Sequence, residues 1–459
     1  MSTETERLSL KDRLYQNRER LACLPLLLFL LSPALQLFYC FLHAGDTVFS
    51  ADLFYSTLVN IVNVLAAVAA FVTYYFFAIS PDRSSLPSLW KSVPARLPFL
   101  LLCVWMVIVT MINGFTEAAL SGDSYRGESL FTFISYFAVY FMCGSFIRSE
   151  KKKQTLVFSF LIVNTILNLL VLVDHFITPV AIFKYNETFC AIFRQFNHYG
   201  YFLMLGIILS AALLVTQTEF RQQIFPAVAF LLNTFLLSVN NTFGCFLTCL
   251  VTLTLLIVAA SLRRKRFDLK ALAVWVVFIA FSFTIGARFS TYLNDCTGFV
   301  KDIGAVAGIS SDTEQTEEEA EDLAAHAGTG RWTLWTHTVS YIKERPLFGW
   351  GIEGINERLN TETNGVNDRP HNEYLQYTAF FGIPGGLLYV AGLVLVAVRA
   401  LKRFRSLDNT TFVCLAATFA YLFSALFGNT MFYTAPFLFI FMGLSCAWNE
   451  PADAPNKTA

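Results

Sequence analysis

The chain has 459 residues, 55% of them hydrophobic and only 14% charged, with 33 basic and 33 acidic side chains. A soluble domain carries about 25% charged residues, and the mean hydropathy here is +0.54, so a soluble globular protein is excluded. The net charge of zero says nothing of partners by itself. No nucleic-acid partner is expected, and the bilayer is the first partner implied.

A helix needs about twenty apolar residues to cross the hydrocarbon core. Apolar runs at 21–42, 53–78, 97–112, 129–147, 155–177, 198–216, 225–240, 244–262, 271–287, 376–398, 411–427 and 431–448 predict an all-α polytopic membrane protein with about 12 transmembrane helices. The expected organisation is an N-tail at 1–20, helices one to nine within 21–287, a large loop at 288–375, helices ten to twelve within 376–448, and a C-tail at 449–459. The first run follows a polar, basic stretch with no cleavage site, so it reads as a retained helix. A polar turn at Val239-Asn240-Asn241-Thr242 divides one long apolar stretch into two.

An even number of crossings puts both termini on one side, and basic residues choose the side. The tails and the alternate short segments 79–96, 148–154, 217–224, 263–270 and 399–410 hold 23 of the 33 Lys and Arg residues. The short loops opposite hold three, Arg126, Lys184 and Arg194. The expectation is cytoplasmic termini, with the large loop between helices nine and ten outside. All six His residues (His43, His175, His198, His326, His337 and His371) then fall on or near the outer side.

Within the fifth apolar run, Asn164, Asn168 and His175 lie near one helix face. They point either to a polar cavity or to interhelical hydrogen bonding. Most of the ten Cys residues lie in apolar runs as small hydrophobes. Cys190 and Cys296 fall in outer segments, where spacing leaves their pairing open. The acidic run 312–322 reads as a solvated strip. After Gly328-Thr329-Gly330, Trp332, Trp335, Val339 and Ile342 share one helix face, and Pro346 ends that helix. The helix either packs on the spanning helices or lies at headgroup depth.

The most concentrated polar cluster is Arg369-Pro370-His371-Asn372-Glu373, set directly against the tenth apolar run. Ionisable groups at a membrane boundary imply function; ordinary helix capping is the plainer reading. With Leu375, Gly382 and Gly385, this stretch resembles the signature of the bacterial O-antigen ligase and polysaccharide polymerase family. Gly328-x-Gly330-Arg331-x-x-x-Trp335 and Pro346-x-x-Gly349-x-Gly351 resemble that family's loop motifs. Arg126 before the fourth helix and Asn197-His198 before the sixth look like further family features. Two positions depart from the pattern. The turn Asn240-Asn241-Thr242-Phe243-Gly244 lacks the family's Arg, and Phe380 stands where many members carry Glu.

The resemblance implies transfer of a glycan from a polyprenyl-diphosphate donor to an acceptor saccharide, or to another lipid-linked glycan, at the outer face. It implies no metal and no cofactor. A diphosphate leaving group gathers negative charge, which a guanidinium fork binds in two-pronged fashion. Arg126, Arg194 and Arg331 are the candidates; pairing with Asp123, Glu128 or the acidic run is their structural alternative. His371 is the candidate general base for the acceptor hydroxyl, and His337 is the reserve. Asn372, Glu373, Asn197 and His198 are candidate supporting residues. A Wzy-type polymerase shares the pattern. A transporter is the reading from another class, against which no internal repeat relates the two halves.

Overall fold

The computed structural model describes residues 9–43, 51–78, 93–122, 128–178, 191–193, 196–284, 297, 331–363, 369–430 and 433–447. Their helices are α1 (Leu10–Gln16), α2 (Arg18–His43), α3 (Ala51–Ala78), α4 (Arg96–Asn113), α5 (Glu117–Ser121), α6 (Leu130–Phe146), α7 (Glu150–Phe176), α8 (Phe196–Thr216), α9 (Phe220–Asn240), α10 (Phe243–Arg264), α11 (Leu269–Thr284), α12 (Arg331–Glu344), α13 (Asn356–Glu362), α14 (Glu373–Arg403), α15 (Asn409–Ser424) and α16 (Ala435–Cys446). No strand occurs among the described residues. The all-helical, multi-pass expectation therefore holds. Seven helices are long and apolar enough to span, namely α2, α4, α7, α8, α9, α10 and α14. Five further apolar stretches of 10–17 residues lie in α3, α6, α11, α15 and α16. Among the described residues, then, seven helices meet the length and apolarity of a crossing. The polar turn at 239–242 does split two helices, with Asn241 in the left-handed region at φ 62°.

The loops collect at two ends of the bundle. At one end Glu19 accepts the N–H groups of Arg148 (2.9 Å) and Ser149 (2.6 Å). There the buried Lys153 ammonium meets Asp408 at 2.9 Å, and Arg263 donates to the Leu407 carbonyl at 2.6 Å. At the opposite end lie α12, α13, the turn 425–430 and the start of α14. Side-chain caps fix several helix starts locally: Ser129 for α6, Asn372 for α14 and Asp408 for α15.

α14 is broken. Gly382 has φ 71° and ψ 176°, outside helical space, and Pro384 follows it. A break strands backbone groups that must find partners inside a membrane protein. Each one does. Trp350 N–H donates to the Ala379 carbonyl (2.9 Å) and Gly351 N–H to Phe380 (2.9 Å), while Ile383 N–H turns to the Pro346 carbonyl (2.7 Å). The Phe381 carbonyl accepts the Trp105 indole N–H at 2.7 Å. The segment 345–351 therefore docks into the break as a plug. That contact explains two glycines. A Cβ on Gly382 would lie 2.0 Å from the Leu347 carbonyl oxygen, and one on Gly349 would lie 2.5 Å from the Gly382 nitrogen. Both also have positive φ, which glycine alone adopts without penalty.

α8 is the central helix and is buried along almost its whole length. Beside it a hydrogen-bonded cluster occupies the place where a polar cavity was one expectation. Asn233 donates to Asn164 (2.7 Å), Asn168 donates to Asn233 (2.9 Å), and the Tyr199 hydroxyl donates to Asn168 (2.9 Å). The three Asn side chains are fully buried. They join α7, α8 and α9, so interhelical bonding is the reading that holds. Each such bond contributes only about 0.6 kcal/mol in a membrane bundle, so the cluster chiefly sets helix register. His175 does not join it; it is exposed at the end of α7, against Phe176.

The expected face of α12 is buried only in part, through Ile342 and the half-buried Trp335. Leu334, Thr338 and Tyr341 are buried beside Ile342, while Trp332 and Val339 are exposed. The buried row runs at i, i+4 and i+7 through a threonine. Its hydroxyl bonds the Leu334 carbonyl (2.6 Å), so Thr338 buries with its hydrogen bond satisfied, which apolarity alone does not reveal.

Candidate functional site

Arg369 is fully buried at the loop-bearing end. Desolvating a lone charge costs several kcal/mol, so a buried guanidinium needs close partners. Two carboxylates provide them. Glu128, just before α6, lies 2.9 Å away, and Glu353, before α13, lies 2.7 Å away. Gln376 donates to Glu128 at 3.1 Å and accepts the Thr430 N–H at 3.0 Å. The guanidinium carbon also sits 5.3 Å from the Phe380 ring centroid. The acids that pair with Arg369 come from Glu128 and Glu353. Arg369 thus ties α6, the loop before α13, and α14 together.

Two residues on, His371 is half-buried and left-handed at φ 48°. Its N–H donates to the Asn429 side-chain oxygen at 2.7 Å. Asn372 caps α14 by accepting the Leu375 N–H (3.0 Å) and donates to the Leu426 carbonyl (3.2 Å). Glu373 N–H donates to the Ala425 carbonyl (2.9 Å), and its carboxylate accepts the Tyr389 hydroxyl (2.6 Å). Residues 371–373 are therefore laced to the turn after α15, and Glu373 faces into the bundle. Asn372 takes the capping role, and Glu373 lies behind His371.

Arg331, the first residue of α12, is half-buried. Burial holds its guanidinium below the ordinary arginine value, and the groups that act on it are the Tyr201 hydroxyl and the Cys245 thiol. Among the described residues it has no carboxylate partner. Tyr201 in turn donates to the Ser424 carbonyl at 2.9 Å, at the head of the turn that holds His371. Arg331, within the electrostatic reach of Tyr201, therefore stands at the same end of the bundle as His371.

The remaining candidates separate. His337 pairs with Glu362 at 2.8 Å, bridging α12 to α13. Burial and the Glu362 carboxylate raise the neighbouring Tyr341 phenol. His198 is buried against the Tyr433 ring, with centroids 5.0 Å apart. Asn197 is half-buried one residue before it. Arg126, Arg194, Cys190, Cys296 and the acidic run lie outside the described residues. Glu128, offered above only as a partner for Arg126, pairs with Arg369.

Sequence reading missed Asn429, Tyr201 and Glu353. Asn429 and Glu353 are polar residues beside Gly in short segments, an ordinary loop signature, and Tyr201 lies in an apolar run. Arg369 was visible as a cation at a membrane boundary, but its partners were not.

Residues 227–390 match the family model described as O-antigen ligase. The match covers roughly a third of the chain and includes Arg331, His337, His371 and the helix break. No curated protein matches the chain. The apolar helices make this a multi-pass membrane protein, and its residues 227–390 are similar to the O-antigen ligase family, which supports a ligase- or polymerase-type membrane function in polysaccharide biosynthesis.

Proposed function

We propose that the protein transfers a glycan from a polyprenyl-diphosphate donor to a hydroxyl of an acceptor sugar, at the bundle end that carries α12, α13 and His371. That end faces outward, with both chain termini in the cytoplasm. The observation that carries the reading is Arg331. It is a half-buried guanidinium inside the matched segment, with no carboxylate partner among the described residues. Such a group is matched to an incoming anion. As the glycosidic bond breaks, charge gathers on the departing diphosphate, and a pre-placed guanidinium stabilises that charge without reorganising. The acceptor oxygen attacks the anomeric carbon from the opposite side, and its proton passes to the His371 imidazole. Where the acceptor is another lipid-linked repeat, the same step is polymerisation. A deletion strain separates the two outcomes, by loss of polymer attachment or by loss of chain length.

The role of Arg331 predicts that charge alone is insufficient. Arg331→Lys retains the cation and loses the two-pronged fork. Its transfer rate should fall nearly as far as that of Arg331→Ala, with membrane protein levels unchanged. Full activity in the Lys variant would reduce Arg331 to a general attractor of anions. Sidedness is checked separately, by labelling intact cells with an impermeant maleimide. Thr336→Cys, on the exposed surface of α12, should react, and Arg266→Cys, beyond α10, should not. The reverse pattern would overturn the orientation and remove the donor from the proposed site.

A further inference from the structure

The bundle end opposite His371 contains a second polar site, in which Arg263, Arg264, Arg405, Asn409 and Thr216 line a cavity of ≈ 180 Å³ between α8, α10 and α15. Liquid water occupies roughly 30 Å³ per molecule, so the space holds a group of several heavy atoms. Its charges are not balanced. Asp268 is taken by Arg264 at 2.7 Å, and Asp408 by Lys153 at 2.9 Å. Arg263 donates to a backbone carbonyl and lies over the Phe412 ring at 4.6 Å. Neither Arg263 nor Arg405 has an ion pair among the described residues. Two guanidinium groups without an ion pair around a polar cavity, with a third beside them, make an anion site, although the Asp408 charge also reaches Arg263.

A second observation says what the anion is attached to. Arg405 also lines an adjoining cleft of ≈ 450 Å³, whose other walls include Ile257, Val258, Leu262 and Phe267. Val258, Leu262 and Phe267 are more than half exposed, the first two on a helix long and apolar enough to span a bilayer and Phe267 just beyond its end. The basic cavity therefore continues into an apolar groove at the depth where α10 ends. This is the shape of a headgroup with an acyl chain, and basic pockets between transmembrane helices bind anionic headgroups in this way. We infer that the cavity holds the phosphate of an anionic phospholipid, with its chain along Val258 and Leu262. This site is separate from the transfer site and does not depend on the reaction proposed there.

The test is native mass spectrometry of the full chain released from a neutral detergent, titrated with phosphatidylglycerol, phosphatidylcholine or inorganic phosphate. Phosphatidylglycerol should be retained as a one-to-one adduct in preference to phosphatidylcholine. Arg405→Gln should lower that adduct roughly fivefold and leave the phosphatidylcholine signal alone. Lys151→Gln, which removes an exposed charge at the same end outside the cavity, should change nothing. Equal retention of the two lipids, or equal losses in Arg405→Gln and Lys151→Gln, would overturn the site in favour of diffuse surface attraction. Inorganic phosphate displacing phosphatidylglycerol at matched concentration would overturn the lipid and leave a site for free phosphate. Arg405 is exposed and makes no side-chain bond among the described residues, so its substitution leaves the fold intact.

Discussion

His371→Asn should lose about 10²–10⁴-fold in glycan transfer, the usual contribution of a general base, while the protein inserts and folds as before. The choice of Asn follows from the backbone. His371 has φ 48° and its N–H is held by Asn429. Alanine there meets the left-handed penalty, whereas Asn adopts that region more readily. A His371→Ala loss would mix chemistry with strain; His371→Asn separates them. The pH profile supplies a second readout. The pH dependence of transfer should differ between the wild type and the variant, which lacks the proton acceptor. A His371→Asn enzyme running at near-normal rate would leave His371 as a structural link to the 425–429 turn. The proton would then have to reach Glu373, His337 or solvent.

Breaking the Arg369 cluster should be the most destabilising single change in the described structure. Arg369→Met leaves Glu128 and Glu353 buried or half-buried without the cation between them. Removing one partner of a buried pair costs about 3–5 kcal/mol, enough to deplete the protein from the membrane or to lower its melting temperature sharply in detergent. The rescue is the sharper half of the expectation. Glu128→Gln and Glu353→Gln added to Arg369→Met remove the stranded charges and should recover most of the lost stability. A triple variant as unstable as Arg369→Met would show that shape and hydrogen bonding, rather than charge balance, hold this end together. Activity in a recovered triple variant would further show that Arg369 is not itself a donor-binding group.

The apolar helices were legible from the chain alone because a transmembrane helix satisfies its own backbone. Lipid then demands only length and apolarity, both local properties, and the runs at 198–216, 225–240 and 244–262 correspond closely to α8, α9 and α10. The turn at Asn240-Asn241 and the stop at Pro346 were legible for the same reason, since Asn and Pro act on their own backbone. The motif glycines were visible as a pattern, but their purpose was not. Gly349 and Gly382 are required because segment 345–351 plugs a helix break, and a docking contact between two separate stretches leaves no periodic trace in either. The site divides along the same line. Arg331, His371 and Arg369 could be singled out as polar groups against apolar runs. Glu128 and Glu353 as the Arg369 pair, and Asn429 as the support of His371, are contacts between distant positions. The buried face of α12 belongs with them, because Thr338 hides its hydroxyl against its own helix. Burial and partner choice are properties of the packed bundle; the tertiary structure decided them, since a charge or a broken helix in the interior is stable only when another part of the chain arrives to satisfy it.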